Sequence, residues 1–444
     1  MPGMLSNALS GLNAANVALT VSGNNVANSA TVGYSRQAAQ FATSGNLNGV
    51  VVNNVDRVVN GFYNQDIWRT QSDASFYNSK QSYLGYAEEL LGTDSLNFND
   101  AISTIADALS SALTAPESPA YRQEVLSSAA SLVNKMAQIN GAISDQRDQL
   151  GLQLGETASS VDTTLQKLAD YNEKIRTATA NGDATAALKD SREQLVTSLA
   201  SYVGISVSEQ RDGSINISTN NGSPLLVGSQ AAKMTVDRTD VSITFGRQQF
   251  GLTSNVGGSL GGLIGADTDV LTPTVDAMSS ILSQLADDVN SALSQGFDLN
   301  GDAGIPLFTY DAADPLGTFA VNPAITTDKL AFIGGEYDAG GNWVAAGGVG
   351  DNSNIQSVVD SFKSQSNNYS LLVGRLASQS SENQSNVATT QALNDNAVAA
   401  RDNLSGVNLD EEASNILYYQ QMYQANAKVI SIADETFQTL LNMF

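Results

Sequence analysis

Both ends of the chain carry apolar side chains at seven-residue intervals, and this pattern limits what the ends can become. Leu5, Leu12, Leu19 and Val26 lie on one such track, with Ala8, Ala15 and Ser22 three residues after the first three. Leu409, Ile416, Tyr423, Ile430, Phe437 and Phe444 lie on another, with Ala413, Ala427 and Leu441 beside it. That spacing predicts two amphipathic helices able to pair as a coiled coil. The first helix is unusual in being uncharged, since Arg36 is the first Asp, Glu, Lys or Arg of the sequence. Asn24, Asn25 and Asn28, then Gly33, predict where it stops. Asn408 is the expected N-cap of the last helix, which is read as running to the final residue, with Asp410, Glu411 and Glu412 suited to its positive end.

The uncharged segment does not read as a leader or a membrane span. It lacks a basic n-region, and Asn, Ser and Thr interrupt its apolar residues too often for a run of about 20. A chain of this kind that leaves the cell does so by another route. Across all 444 residues the formal net charge is -24, which argues against a nucleic-acid partner. With no Cys and no His, disulfides, thiolate nucleophiles, imidazole bases and His/Cys zinc sites are excluded.

Between the ends, residues 71–202 read as helical. Leu132, Met136, Ile139, Ile143 and Leu150, and then Val161, Leu165, Leu168 and Ile175, recur at helical spacing. Pro116 and Pro119 mark a break. From about residue 203 the period changes to two, with a turn at Asp212-Gly213. A helix over 272–296, loop and strand over 305–350, and helix over 353–400 complete the reading. The expected fold is mixed α and β and multidomain: a coiled coil of the terminal helices, a central helical bundle and an inserted β-rich domain. The expected division is 1–70 with 401–444 (terminal), 71–202 with 266–300 and 351–400 (helical rod), and 203–265 with 301–350 (β-rich outer domain).

No motif here carries catalysis. "GFDLNGDAGIPL" sets Asp298, Asn300 and Asp302 at alternate positions, yet Ala303 and Thr309 stand where a calcium loop needs Gly and a bidentate Glu, so a polar turn is the better reading. "GGSLGGLIG" (257–265) lacks the order and the Lys of a phosphate loop and reads as close helix-to-sheet packing. Asp287/Asp288 and Glu411/Glu412, adjacent on helices, point about 100° apart and read as solvated faces. A carboxylate enzyme acting on the cell wall, and an adhesin built on the β-rich part, are the competing classes, and neither has identifiable site residues. Expected catalytic, cofactor-binding and metal sites are therefore none. Tyr34 and Arg36, in a Gly-Tyr-x-Arg turn, offer an aromatic anchor and a cation.

"SGLNAANVALTVSGNNVANSATVGYSRQ" resembles the amino-terminal signature of bacterial flagellar axial proteins, the family that builds rod, hook and hook-filament junction. "SGVNLDEEASNILYYQQMYQANAKVISIADETFQTLLNMF" is similar to the carboxy-terminal signature of its junction members. "LADYNEKI", "NGSPLLVG" and "GGSLGGLIG" follow in the same order as in those members, whereas hook and distal-rod subunits, the alternative within the family, have largely β middles. The family usually has Thr-Pro-Gly-Tyr where this chain has Thr31-Val32-Gly33-Tyr34, and residues 305–350 are too short for the outer β domain of longer relatives.

The resemblance implies a non-catalytic structural adaptor at the hook-filament junction, exported through the flagellar channel and self-associating in a ring. Hook protein would lie on the proximal side and a second junction protein or flagellin on the distal side. An export chaperone would bind the C-terminal helix; neither nucleic acid nor membrane is a partner. The expected assembly interface comprises Leu5, Leu12, Leu19, Val26, Tyr34, Arg36, Leu409, Ile416, Tyr423, Ile430, Phe437, Leu441 and Phe444.

Overall fold

The computed structural model describes residues 2–43 and 49–442. The chain opens with α1 (Pro2–Ala27) and a hairpin of β1 (Gln37–Thr43) and β2 (Val50–Arg57). Four helices follow: α2 (Gly61–Gly92), α3 (Phe98–Ala112), α4 (Pro119–Asn181) and α5 (Ala186–Tyr202). Next come β3 (Ile205–Glu209), β4 (Ile215–Thr219), β5 (Pro224–Val227), β6 (Gln230–Ala231), β7 (Lys233–Asp237), β8 (Asp240–Phe245) and β9 (Gln248–Gly251). They form antiparallel sheets in the orders β3-β4-β5-β6 and β7-β8-β9. Helices α6 (Gly258–Ala266) and α7 (Thr272–Ser294) precede the short elements β10 (Phe308–Thr309), α8 (Pro315–Thr318), β11 (Ala320–Val321), β12 (Gly335–Tyr337) and β13 (Trp343–Ala345). Helices α9 (Ile355–Ser364), α10 (Ser366–Ser405) and α11 (Leu409–Leu441) complete the described elements.

Helix α4 is the spine. At 63 residues it extends about 95 Å. Its apolar stripe supplies Val125 to Ile143 to one core and Leu150 to Leu168 to another. The first core adds α3, α7, α9 and the segment Leu307–Phe332; the second adds α5, α6 and the β3–β9 sheets. Pro119 opens α4, where a missing N–H costs nothing. Arg122, one turn on, is fully buried. Its guanidinium donates to the carbonyls of Pro116, Thr327 (2.9 Å) and Leu330 (2.8 Å) and stacks 4.6 Å over the Phe332 ring, while burial pushes its pKa down to about 10.

The predicted helices, the Pro116–Pro119 break and the Asp212-Gly213 turn are present, with the 353–400 helix divided at Gln365 into α9 and α10. Helix α11 ends at Leu441, and the final two residues of its expected run lie outside the described residues. Gly213 takes φ +82, which is open to glycine. Three expectations need correction. Residues 203–265 and 301–350 do not share a core: the former pack with the second half of α4, the latter with the first half. Alternation alone detects strands, not which helix they cover. The terminal–rod boundaries at 70/71 and 400/401 fall inside α2 and α10, which continue without a break. Finally, the glycine-rich segment is α6 itself, packed on helix α2: an added Cβ at Gly262 would collide with the Phe76 carbonyl, and one at Gly261 would lie 2.5 Å from the Ser254 carbonyl. The approach is close, as expected, but it is helix to helix.

In the calcium-like segment, the buried Asp298 carboxylate accepts from the backbone N–H of Asn300 (2.8 Å) and Asp302 (2.9 Å), closing a polar turn. Among the described residues no cluster of three or more metal-ligating side chains occurs.

Candidate assembly interface

The terminal helices do pair, along the small-residue half of the expected seam, Ala8, Ala15 and Ser22. On α1 the buried face is made of small residues: Ala8, Ala14, Ala15, Ala18 and Ser22, with Val21. At Gly11 an added Cβ would lie 2.6 Å from the Asn426 side chain of α11, so close approach there requires a bare backbone. On α11 Glu412 and Ala433 are buried, and Asn415, Ile416, Tyr419, Met422, Asn426 and Ile430 are among the half-buried positions between them. Leu5 and Val26 remain exposed and Leu12 and Leu19 half-buried; across the pair Leu409, Tyr423, Phe437 and Leu441 are exposed and Ile416 and Ile430 half-buried. Phe444 lies outside the described residues. The reason is geometric: small side chains let two backbones come together, and among the described residues the large ones lie on the flanks, exposed or half-buried.

The turn after α1 is a latch built from Asn25, Tyr34 and Arg36. Asn25 is buried; its Oδ1 accepts from Tyr34 Oη (2.8 Å) and Gln37 N (3.0 Å), and its Nδ2 donates to the Gln37 carbonyl (2.9 Å). Arg36 Nη1 donates to Glu411 Oε2 at 2.8 Å, and the Arg36 amide donates to the Ser405 carbonyl at 2.8 Å. The end of α1 is thereby tied to the joint between α10 and α11. Asn408 caps α11 as expected, accepting from Asp410 N at 2.9 Å. Glu411 is solvated, but Glu412 is only 2% exposed, which corrects the solvated-face reading of that pair. Helix pairing places the second carboxylate inward, a consequence that local sequence does not contain.

Two expected outcomes arise here. The Tyr34 N–H donates to the Thr31 carbonyl (3.1 Å) and closes the turn, with Gly33 at φ +78 and Val32 in the first central position. Val32→Pro should therefore stabilise the protein by about 0.4–1 kcal/mol in urea unfolding, since proline suits that position. The Tyr34 phenol is pushed up to about 12 by burial, then by Asp190 and Glu412. Its contribution is complete below the ordinary value of 10.0 and is lost as pH rises through about 12. Tyr34→Phe should flatten stability loss across that window, as followed by unfolding at stepped alkaline pH.

A second set of residues fastens the hairpin to the rod. Arg57 Nε sits 2.7 Å from Asp190 Oδ1, and its Nη2 contacts Glu193, both acids being on α5. Glu193 also accepts from Asn64 Nδ2 at 2.5 Å, Asp190 accepts weakly from Ser35 N (3.4 Å), and Gln194 Nε2 donates to the Val32 carbonyl at 2.6 Å. Arg57 and its acids are more than 130 positions apart in sequence, so no spacing rule could have found them.

Most exposed large apolar side chains among the described residues belong to this terminal unit, including Met4, Leu9, Phe62, Leu417, Tyr418 and Phe437. Apolar exposure on this scale marks a surface made to be covered. A groove of about 1090 Å³ separates α1 and the hairpin from the α4–α5 turn; it is lined chiefly by polar side chains such as Asn16, Thr20, Lys189 and Glu193. Nothing in this arrangement converges on a reacting atom. No helix is long and apolar enough to cross a membrane among the described residues.

The chain is similar to known flagellar proteins. The family described as flagellar hook-associated protein FlgK helical domain matches residues 84–308, and the carboxy-terminal family of basal body rod FlgEFG proteins matches 401–443. Flagellar hook-associated protein 1 of Escherichia coli K12 is 25% identical over 550 aligned positions that take in 100% of both chains. The protein of that name in Bacillus subtilis 168 is 22% identical, over 99% of this chain and 97% of its own. The solved hook junction protein FlgK of Burkholderia pseudomallei superposes with a TM-score of 0.68 at 14% identity, over 77% of this chain and all of that one.

Proposed function

The chain belongs to the family of the flagellar hook-associated protein FlgK, and on that premise we propose that it is the structural adaptor joining hook to filament. Its terminal helix pair packs side by side with those of neighbouring copies to form a ring. The observation that carries this reading is the concentration of exposed apolar side chains on an uncharged first helix and its partner. Charges buried between subunits would each cost several kcal/mol, and α1 brings none. Leu5, Leu12, Leu19, Val26 and the Leu409–Phe437 track are then contacts between copies, with Tyr34 and Arg36 holding the turn that aims them.

Hook protein occupies the proximal face and a second junction protein or flagellin the distal face, following export through the flagellar channel with a chaperone on the C-terminal helix. The rod-type match at 401–443 would suit a hook or distal-rod subunit equally, but the helical-domain match over 84–308 favours the junction. No step here is catalytic. Deleting the gene in its own bacterium should leave finished hooks without filaments, and purified protein should add to isolated hooks. A deletion strain lacking hooks would refute the assignment.

A further inference from the structure

Where the terminal helices meet the hairpin, two buried polar atoms lack hydrogen-bond partners: Nε of Arg36 and Oε2 of Glu412. Both side chains line one cavity of about 110 Å³, walled by Ala18, Ser22, Ala38 and Tyr419. A buried carboxylate beside a neutral helix is costly unless something pairs with it. The guanidinium that lines the same cavity is engaged elsewhere. Arg36 gives its Nη1 to Glu411, whose side chain is 59% exposed, and such a pair is worth little in water.

The Arg36 backbone is fixed on both sides, its N–H donating to Ser405 and its carbonyl accepting from Val58 N at 2.8 Å. Only the side chain is free to change partner. Glu411 and Tyr418 lie seven residues apart on the same exposed face of α11, whereas Glu412 points inward. Covering the Tyr418 face with another subunit therefore acts on Glu411 directly.

We propose that Arg36 is an ion-pair relay: when a neighbouring copy packs on α11, a cationic side chain of that copy takes Glu411, and Arg36 turns inward to Glu412. The proposal rests on the ring reading above. In the free subunit one buried carboxylate is unpaired; in the ring none is. Assembly thus gains a differential contact that the isolated subunit lacks, which is what a two-state coupling needs. The relay also links the outer face of α11 to the α10–α11 joint through Ser405.

The test uses the full chain with Glu412→Gln, Arg36→Gln and the double variant, measuring the thermal midpoint of the free subunit and the concentration needed for incorporation on isolated hooks. Glu412→Gln removes the unpaired charge, so the free subunit should melt no lower than wild type, while incorporation should need about tenfold more protein. The double variant should incorporate no worse than Arg36→Gln alone. A merely structural Glu412 would lower both readouts together. A lower midpoint, unchanged incorporation, or losses that multiply in the double variant would each overturn the relay. If wild-type protein fails to add to hooks, the junction reading falls, and the melting comparison still judges the buried carboxylate.

Discussion

Truncation after Ile430 is expected to abolish incorporation at the hook end while leaving both helical cores folded. The lost segment contributes only Ala433 to the buried set among the described residues, and none of its residues belongs to either core. What it does contribute is exposed: Ile432 at 43%, Phe437 at 53% and Leu441 at 61%. Covering three such half-exposed side chains in a ring is worth roughly 2–5 kcal/mol per subunit. Losing that amount raises the required concentration on the order of a hundredfold. The thermal midpoint of the cores should move by no more than a few degrees, because α4 and its partners are untouched. Hook-attached filaments in a strain carrying only the truncated form would contradict this account, as would collapse of the cores in circular dichroism.

That asymmetry between folding and assembly also explains what could be read from the sequence. Periodicity located the long helices because Leu132 to Ile175 alternate in threes and fours over one continuous buried stripe of α4. It located β3–β4 and β7–β8 because glycine or a tight turn separates alternating runs. It failed where pairing is polar. Helices α2 and α10 meet through Thr70–Asn394 (3.1 Å), Asn394–Gln71 (3.1 Å), Gln81–Ser380 (3.1 Å) and Asn383–Gln81 (2.8 Å), so over this stretch no continuous apolar stripe marks how far each extends. Domain boundaries placed by composition consequently fell inside both helices.

The seam between α1 and α11 is legible only in part, for the converse reason. Of the predicted seam the helix pair buries the small residues Ala8, Ala15 and Ser22, because small residues permit approach, and leaves the large apolar track at its flank. On the proposed ring reading, that large track is the contact between copies. Arg36, the first charge, stands where this uncharged helix ends and the ion-paired joint to the rod begins.

That joint should be the weak point of the molecule when cut electrostatically. Arg57→Ala is expected to cost about 3–5 kcal/mol, because it strands two acids that packing has largely enclosed. Arg57 is 9% exposed, Asp190 8% and Glu193 29%. Since the acids sit on α5 and the cation on β2, the loss should appear as detachment of the hairpin: faster amide exchange in β1 and β2, with the β3–β9 sheets and α4 protected as before. Replacing the ionic set together, Arg57→Met with Asp190→Leu and Glu193→Gln, should recover most of the loss, because no charge is then left unpaired. Salt separates this clamp from the exposed Arg36–Glu411 pair. Raising ionic strength screens the surface pair within a Debye length of about 3 Å at 1 M but leaves the enclosed one nearly intact. Wild-type hairpin protection should therefore survive high salt, and the Arg57→Ala effect should be as large there as at low salt. A deficit that vanishes in salt would mean that the hairpin is held by surface charge, and that the rod passes force to the terminal helices by some other route.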